Sequence, residues 1–243
     1  MKRMILIPAV ILALLHSGQA VAQSDMKNPA TSGEETEMFV HPFLAHMGLP
    51  DAPDEVSVRL TGIKTRLEGG DTQSDFSFHI EAGLVKNLGI HLRSDGINHE
   101  EYSEVMLQYA LLKDSDMKNG ISIFGQVSIP TGEVKTNTYK GLFGGSYTLT
   151  AGDIAVLNGN VHYDPKDKMA EYEDAFVFRR NALIFPIFEI RGHITSDYVS
   201  AYLLPGIKFR ASKNYAFGVG VQAAVSDTRE YDEQALFTLE GVF

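Results

Sequence analysis

From Val56 to the end of the chain, apolar and polar positions alternate with period two, the pattern of strands whose two faces meet different surroundings. In "YAFGVGVQAAV", Tyr215, Phe217, Val219, Val221 and Val225 share one face, with Ala216, Gly218, Gly220, Gln222 and Ala224 opposite. "VSAYLLPGIKFR" sets Leu203, Pro205, Ile207 and Phe209 against Ser200, Tyr202, Lys208 and Arg210. "DFSFHIEAGL" sets Phe76, Phe78, Ile80 and Leu84 against Ser77, His79 and Glu81. The rhythm predicts about twelve strands: 56–67, 74–85, 88–96, 102–113, 119–130, 137–148, 153–163, 172–180, 183–194, 199–210, 215–226 and 234–243. "EEYSEVMLQYALLKD" (Glu100 to Asp114) also suits an amphipathic helix, since its unbranched residues favour one. Val105, Leu107, Tyr109 and Leu111 alternate there with Glu104, Met106 and Gln108, which favours a strand. Ten to fourteen strands remain open.

Short connections such as 86–87 and 150–152 alternate with longer polar ones such as 131–137 and 164–171. Tight turns at one end, longer loops at the other and strands near ten residues describe an antiparallel transmembrane β-barrel over 56–243. Both chain ends would lie on the tight-turn, periplasmic side. Period-two strands also build soluble sandwiches and barrels with apolar interiors, which is the competing fold.

The residues before Val56 divide in two. Lys2 and Arg3, the apolar run Met4 to Leu15 and the small-residue pattern Ala20-Val21-Ala22 predict a secretory signal peptide over 1–22. Residues 23–55 read as a flexible periplasmic lead, polar at first and then more apolar but interrupted by Pro42, Pro50 and Pro53. The alternative for "MFVHPFLAHMGLP" is a plug or a partner-binding arm.

Composition narrows the function. The net charge of −10 disfavours nucleic acid, whose binding rests on neutralising phosphates. The absence of cysteine from an exported chain removes disulfides as a source of stability. No apolar run after the leader reaches the length of a membrane helix. The cell outer membrane of a Gram-negative organism is the expected location, with outer-membrane lipid as the first partner.

The strand "EQALFTLEGVF", ending in Phe243, resembles the C-terminal signal that outer-membrane assembly machinery recognises. "GQVSIPTGE" (Gly125 to Glu133) and "LLPGIKFRASKNYAFGVGVQAAVSD" (Leu203 to Asp227) resemble the barrel family linked to the meta-pathway of phenol degradation. That resemblance implies a transporter-like outer-membrane protein for organic or aromatic compounds. The stretch His46 to Gly62 has no counterpart in the family's pattern.

If lipid takes the apolar face, the lumen holds Arg59, Glu81, Arg93, Glu104, Glu189, Arg191, Lys208 and Arg210, expected to set selectivity for a small-molecule solute. Charged lumen residues either pair across a narrow barrel or line a wet path through a wider one. The alternative function is therefore a non-conducting barrel, structural or sensing a ligand or metal. His41, His46, His79, His91, His162 and His193 suit zinc or copper by type but show no compact ligand spacing, so no metal and no cofactor is expected. Ser77, His79 and Glu81 stand along one face of one strand, about 7 Å apart for each pair of neighbours, beyond the reach of a general base. No G-x-S-x-G elbow is present, and no enzyme is expected.

Overall fold

Alternation becomes twelve antiparallel strands: β1 (Val56–Leu67), β2 (Thr72–Val85), β3 (Leu88–Ser94), β4 (Tyr102–Lys113), β5 (Gly120–Pro130), β6 (Lys140–Ala151), β7 (Ala155–Asp164), β8 (Met169–Phe178), β9 (Ile184–Ile194), β10 (Val199–Arg210), β11 (Tyr215–Ala224) and β12 (Tyr231–Val242). The computed structural model describes residues 40–94, 102–114, 118–130, 139–152, 154–179 and 183–243. Each strand pairs with its sequence neighbour, and β1 closes on β12 to leave no edge. The segment open to a helical reading is β4. The signal peptide over 1–22 and the first part of the lead lie outside the described residues.

The seam is continuous to the end of the chain. Arg59 pairs in register with Glu240 and Ser57 with Val242. Beyond them the Val56 amide donates to the Phe243 carbonyl at 3.0 Å, and the Phe243 amide returns a bond to Val56 at 2.9 Å. The Phe243 ring packs edge-on against Tyr215.

Side-chain direction separates the two candidate folds. Outward residues such as Leu107 (50% exposed), Val219 (48%) and Phe237 (56%) form an apolar belt, while Glu81 (3%), Lys208 (0%) and Glu240 (1%) are buried inside. A soluble barrel would have the reverse arrangement; apolar outside and polar inside is what a bilayer stabilises. The β1–β2 turn needs Gly69 and Gly70, both at positive φ, so that the Leu67 amide can reach the Asp71 carbonyl at 2.8 Å. The expected contrast of short and long connections is only partial. The turns 68–71, 165–168 and 195–198 are as short as 211–214 at the other end.

The larger departure concerns the lead. Residues 40–50, ahead of the barrel's first strand, are all buried. The expectation of a flexible lead through residue 55 is therefore corrected. Val40, Phe43 and Leu44 pack inside the barrel against Val177, Phe185, Ile187, Leu204 and Leu236. Removing these apolar groups from water on both sides is what makes the inner position favourable.

Candidate functional site

Residues 40–52 carry Pro42 and Pro50 and form no helix or strand. Their amides and carbonyls have no ladder of their own, and leaving such groups unmet inside a protein costs about 1–3 kcal/mol each. The barrel wall supplies the partners. Glu189 on β9 accepts from three successive amides, those of Phe43, Leu44 (3.0 Å) and Ala45 (3.1 Å). Lys208 on β10 donates to the carbonyls of His41 (2.7 Å) and Pro42 (3.1 Å), and Arg59 on β1 donates to Pro42 at 2.5 Å. Gln108 on β4 donates to Met47 (3.0 Å), and Ser122 and Ser146 donate to Gly48 (2.9 and 3.1 Å). The Gly48 amide donates to Asn158 at 3.3 Å. These inward polar residues therefore solvate a peptide segment.

Phe43 anchors that segment in a seat made by the absence of side chains. A Cβ on Gly206 would collide with its ring, and one on Gly218 would come within 3.1 Å of it. The Lys208 ammonium stands 5.2 Å from the ring centroid. Gly206→Leu is expected to evict Phe43, with the barrel itself still closed. A rise in conductance across planar bilayers, with unchanged mobility of the folded form on gels, checks this; conductance no higher than the parent's contradicts it.

The segment meets two charged groups on the wall. Lys208 pairs with Glu240 on β12 at 2.7 Å, both side chains 0% exposed, and His41 Nδ1 lies 2.5 Å from the same carboxylate. Burial opposes charge on His41, but Glu240, Asp51 and Glu81 outweigh it and pull the imidazole up to about 10. His46 behaves oppositely: burial, then the Arg93 guanidinium, push it well below its usual range. Arg93 Nη1 lies 3.1 Å from His46 Nε2, and Arg59 Nη2 contacts His79 Nδ1.

A second polar group lies towards the end of the barrel opposite Phe243. Glu171 on β8 meets His162 at 3.0 Å, His193 at 3.2 Å and Arg191 at 3.0 Å, while Glu173 accepts from Asn160 at 3.0 Å. Beside it is a cavity of about 170 Å³ lined by Leu44, Arg191, His193, Tyr202, Glu230 and Tyr231. The Tyr202 and Tyr231 rings stack at 4.6 Å. Leu44, from the inner segment, is part of this cavity's wall.

Of the residues singled out from sequence, Arg59, Glu189 and Lys208 hold the segment's backbone, while Glu81 and Arg93 meet its histidines. Arg191 belongs to the outer group. Glu104 stands opposite Arg93 in register and accepts from Ser128 at 3.4 Å, and Arg210 sits 5.9 Å from the Phe185 ring. Glu171 and Glu173 were not among the sequence candidates; their signal is the alternation of acids in "AEYED" within β8. His41 and His46 join the strand histidines only because the segment folds inward, and His46, His79 and His91 come together, as do His41, Asp51 and Glu81.

The chain has the fold of outer-membrane channels. It is similar to the COG4313 outer membrane channel from Pseudomonas putida F1, at a TM-score of 0.61 and 8% identity, over 84% of this chain and 100% of that one. The KdgM porin is similar at a TM-score of 0.57 and 12% identity, over 77% and 99%. The NanC porin is similar at 0.55 and 9%, over 77% and 98%. No protein-family profile and no curated protein matches the sequence.

Proposed function

We propose that the chain is an outer-membrane channel for small solutes, held closed in this structure by residues 40–52. The carrying observation is that Leu44 of the inner segment walls the outer cavity. What divides the cavity from the periplasmic end is therefore a peptide held by hydrogen bonds and packing, which can leave, rather than a strand, which cannot. The fold shared with channel and porin barrels supports the same reading. The stacked tyrosines beside Arg191 and His193 favour small organic solutes, in keeping with the aromatic compounds implied by the family resemblance.

Swelling of proteoliposomes in a size series of sugars and aromatic acids tests the assignment. Entry that falls with solute size, and rises once residues 23–52 are removed, is expected. A barrel that admits none of them even without that segment is a closed structural or sensing protein. That second reading draws on the same filled inner lumen.

Phe243 is proposed to serve the assembly machinery rather than the lumen, since the residue is 61% exposed. Phe243→Ala should then be depleted from the outer-membrane fraction while conducting normally once refolded. Normal insertion of that variant would remove the role.

A further inference from the structure

At the base of the inner segment His41, Asp51 and Glu81 each bring one ligand atom within 4.8 Å of the other two, and His91 stands beside Glu81. His41 Nε2 lies 3.8 Å from Asp51 Oδ1 and 3.9 Å from Glu81 Oε2, and the same Glu81 oxygen lies 3.6 Å from His91 Nδ1. His41 Nε2, Glu81 Oε2 and His91 Nδ1 are buried and make no hydrogen bond. We propose that His41, Asp51, Glu81 and His91 bind one divalent first-row transition ion, zinc by its donor set, which fastens the inner segment to β2 and β3.

The partners of the other atoms carry the argument. A ligating imidazole needs its second nitrogen held by an acceptor, so that the first presents a lone pair. His41 Nδ1 is held by Glu240 at 2.5 Å. His91 Nε2 lies 2.9 Å from Gln108 Oε1, and that amide's nitrogen donates to Met47 and Ser146, so its oxygen is the acceptor. His91 therefore donates through Nε2 and leaves Nδ1 bare. Asp51 turns its other oxygen to Ser57, which donates at 2.7 Å. Glu81 turns its other oxygen to His79 Nε2 at 3.5 Å, and His79 Nδ1 faces the Arg59 guanidinium, so Nε2 carries the proton. His41, Asp51 and His91 are thus each oriented by a hydrogen-bonded outer partner.

Two imidazoles and two carboxylates suit a tetrahedral zinc site, whereas calcium and magnesium need more oxygens. Bond lengths near 2.0–2.2 Å imply ligand atoms about 3.3–3.5 Å apart, so His41, Asp51 and Glu81 need only draw together while His91 turns in from beside Glu81 as the fourth ligand. The neighbouring group of His46, His79 and His91 fits a metal less well. Guanidiniums occupy one nitrogen each of His46 and His79, and two fixed positive charges stand beside them.

The inference rests on where the segment lies, not on conduction, and its readout is ion binding alone. Full-length protein refolded in detergent, stripped with EDTA and titrated with Zn²⁺ by calorimetry should take up one ion per chain. Co²⁺ should give the strong visible absorption of a tetrahedral site. Asp51→Asn and His91→Gln should each weaken binding by at least about 10–100-fold, the scale that even outer partners carry. His46→Gln, whose amide oxygen still accepts from Arg93, should bind as the parent does. Heat-modifiable gel mobility establishes that each variant is folded. No specific uptake, uptake indifferent to Asp51→Asn and His91→Gln, or uptake abolished by His46→Gln would each overturn the site.

Discussion

Deleting residues 23–52 is expected to turn a closed barrel into a steadily conducting one. No strand loses a residue, so all twelve pairings and the β1–β12 seam survive. What disappears is the peptide that fills the inner lumen and the wall that Leu44 gives the outer cavity. Glu189, Lys208, Arg59 and Gln108 are then left facing water, which replaces the lost backbone partners at little cost for groups in contact with solvent. Charged side chains lining a wet path should favour one sign of ion. Single-channel recording of the refolded protein checks this. Long-lived open levels with ion selectivity are expected, against rare or absent openings in the parent; a deleted protein that stays silent would mean the wall residues close the lumen unaided.

The second large effect is expected at Lys208. Its ammonium and the Glu240 carboxylate are both fully buried at 2.7 Å, and the same ammonium binds two carbonyls of the inner segment. Lys208→Met leaves a buried carboxylate without its main partner, and breaking such a pair typically costs about 3–5 kcal/mol. The urea midpoint of the refolded barrel should fall accordingly, and conductance should rise as His41 and Pro42 lose their anchor. Adding Glu240→Gln should recover part of the loss, because the uncompensated charge is then gone. If the double variant is as unstable as the sum of the singles, the pair is not coupled and Lys208 acts through packing alone.

The barrel was legible because its physics is local. Alternation in "YAFGVGVQAAV" follows from one face meeting lipid and the other the lumen, and the ends of β1, β4 and β10 fall on the boundaries that pattern gives. The inward direction of Glu81, Glu189 and Lys208 follows from the same parity. The inner segment was not legible as structure, since residues 40–52 have no repeating pattern and take their shape from wall groups up to 199 residues away in sequence. One trace was present. "ALIFPIFEI", "AFVF" and "YLLPG" put apolar residues on both faces, which a barrel with a wholly wet lumen does not need. Phe185, Ile187, Val177 and Leu204 are the inward members of those runs, and they are the residues that receive Val40, Phe43 and Leu44. Gly218 of "GVG" carries no such trace; the structure shows the Phe43 ring in the space beside it. Arg59, Glu81, Arg93, Glu189 and Lys208 are buried, but no parity rule says whether an inward arginine faces water or a peptide carbonyl.

Residues 40–52 lie within the lumen, and the absence of cysteine from the chain allows their position to be probed with a single introduced thiol. Met47 is 7% exposed and sits against Gln108. Met47→Cys, reconstituted in lipid and treated with a bulky membrane-impermeant maleimide, should label slowly in the native barrel and quickly after unfolding. Adding Gly206→Leu should speed the native reaction. Native labelling as fast as that of the unfolded chain would place Met47 outside the closed lumen.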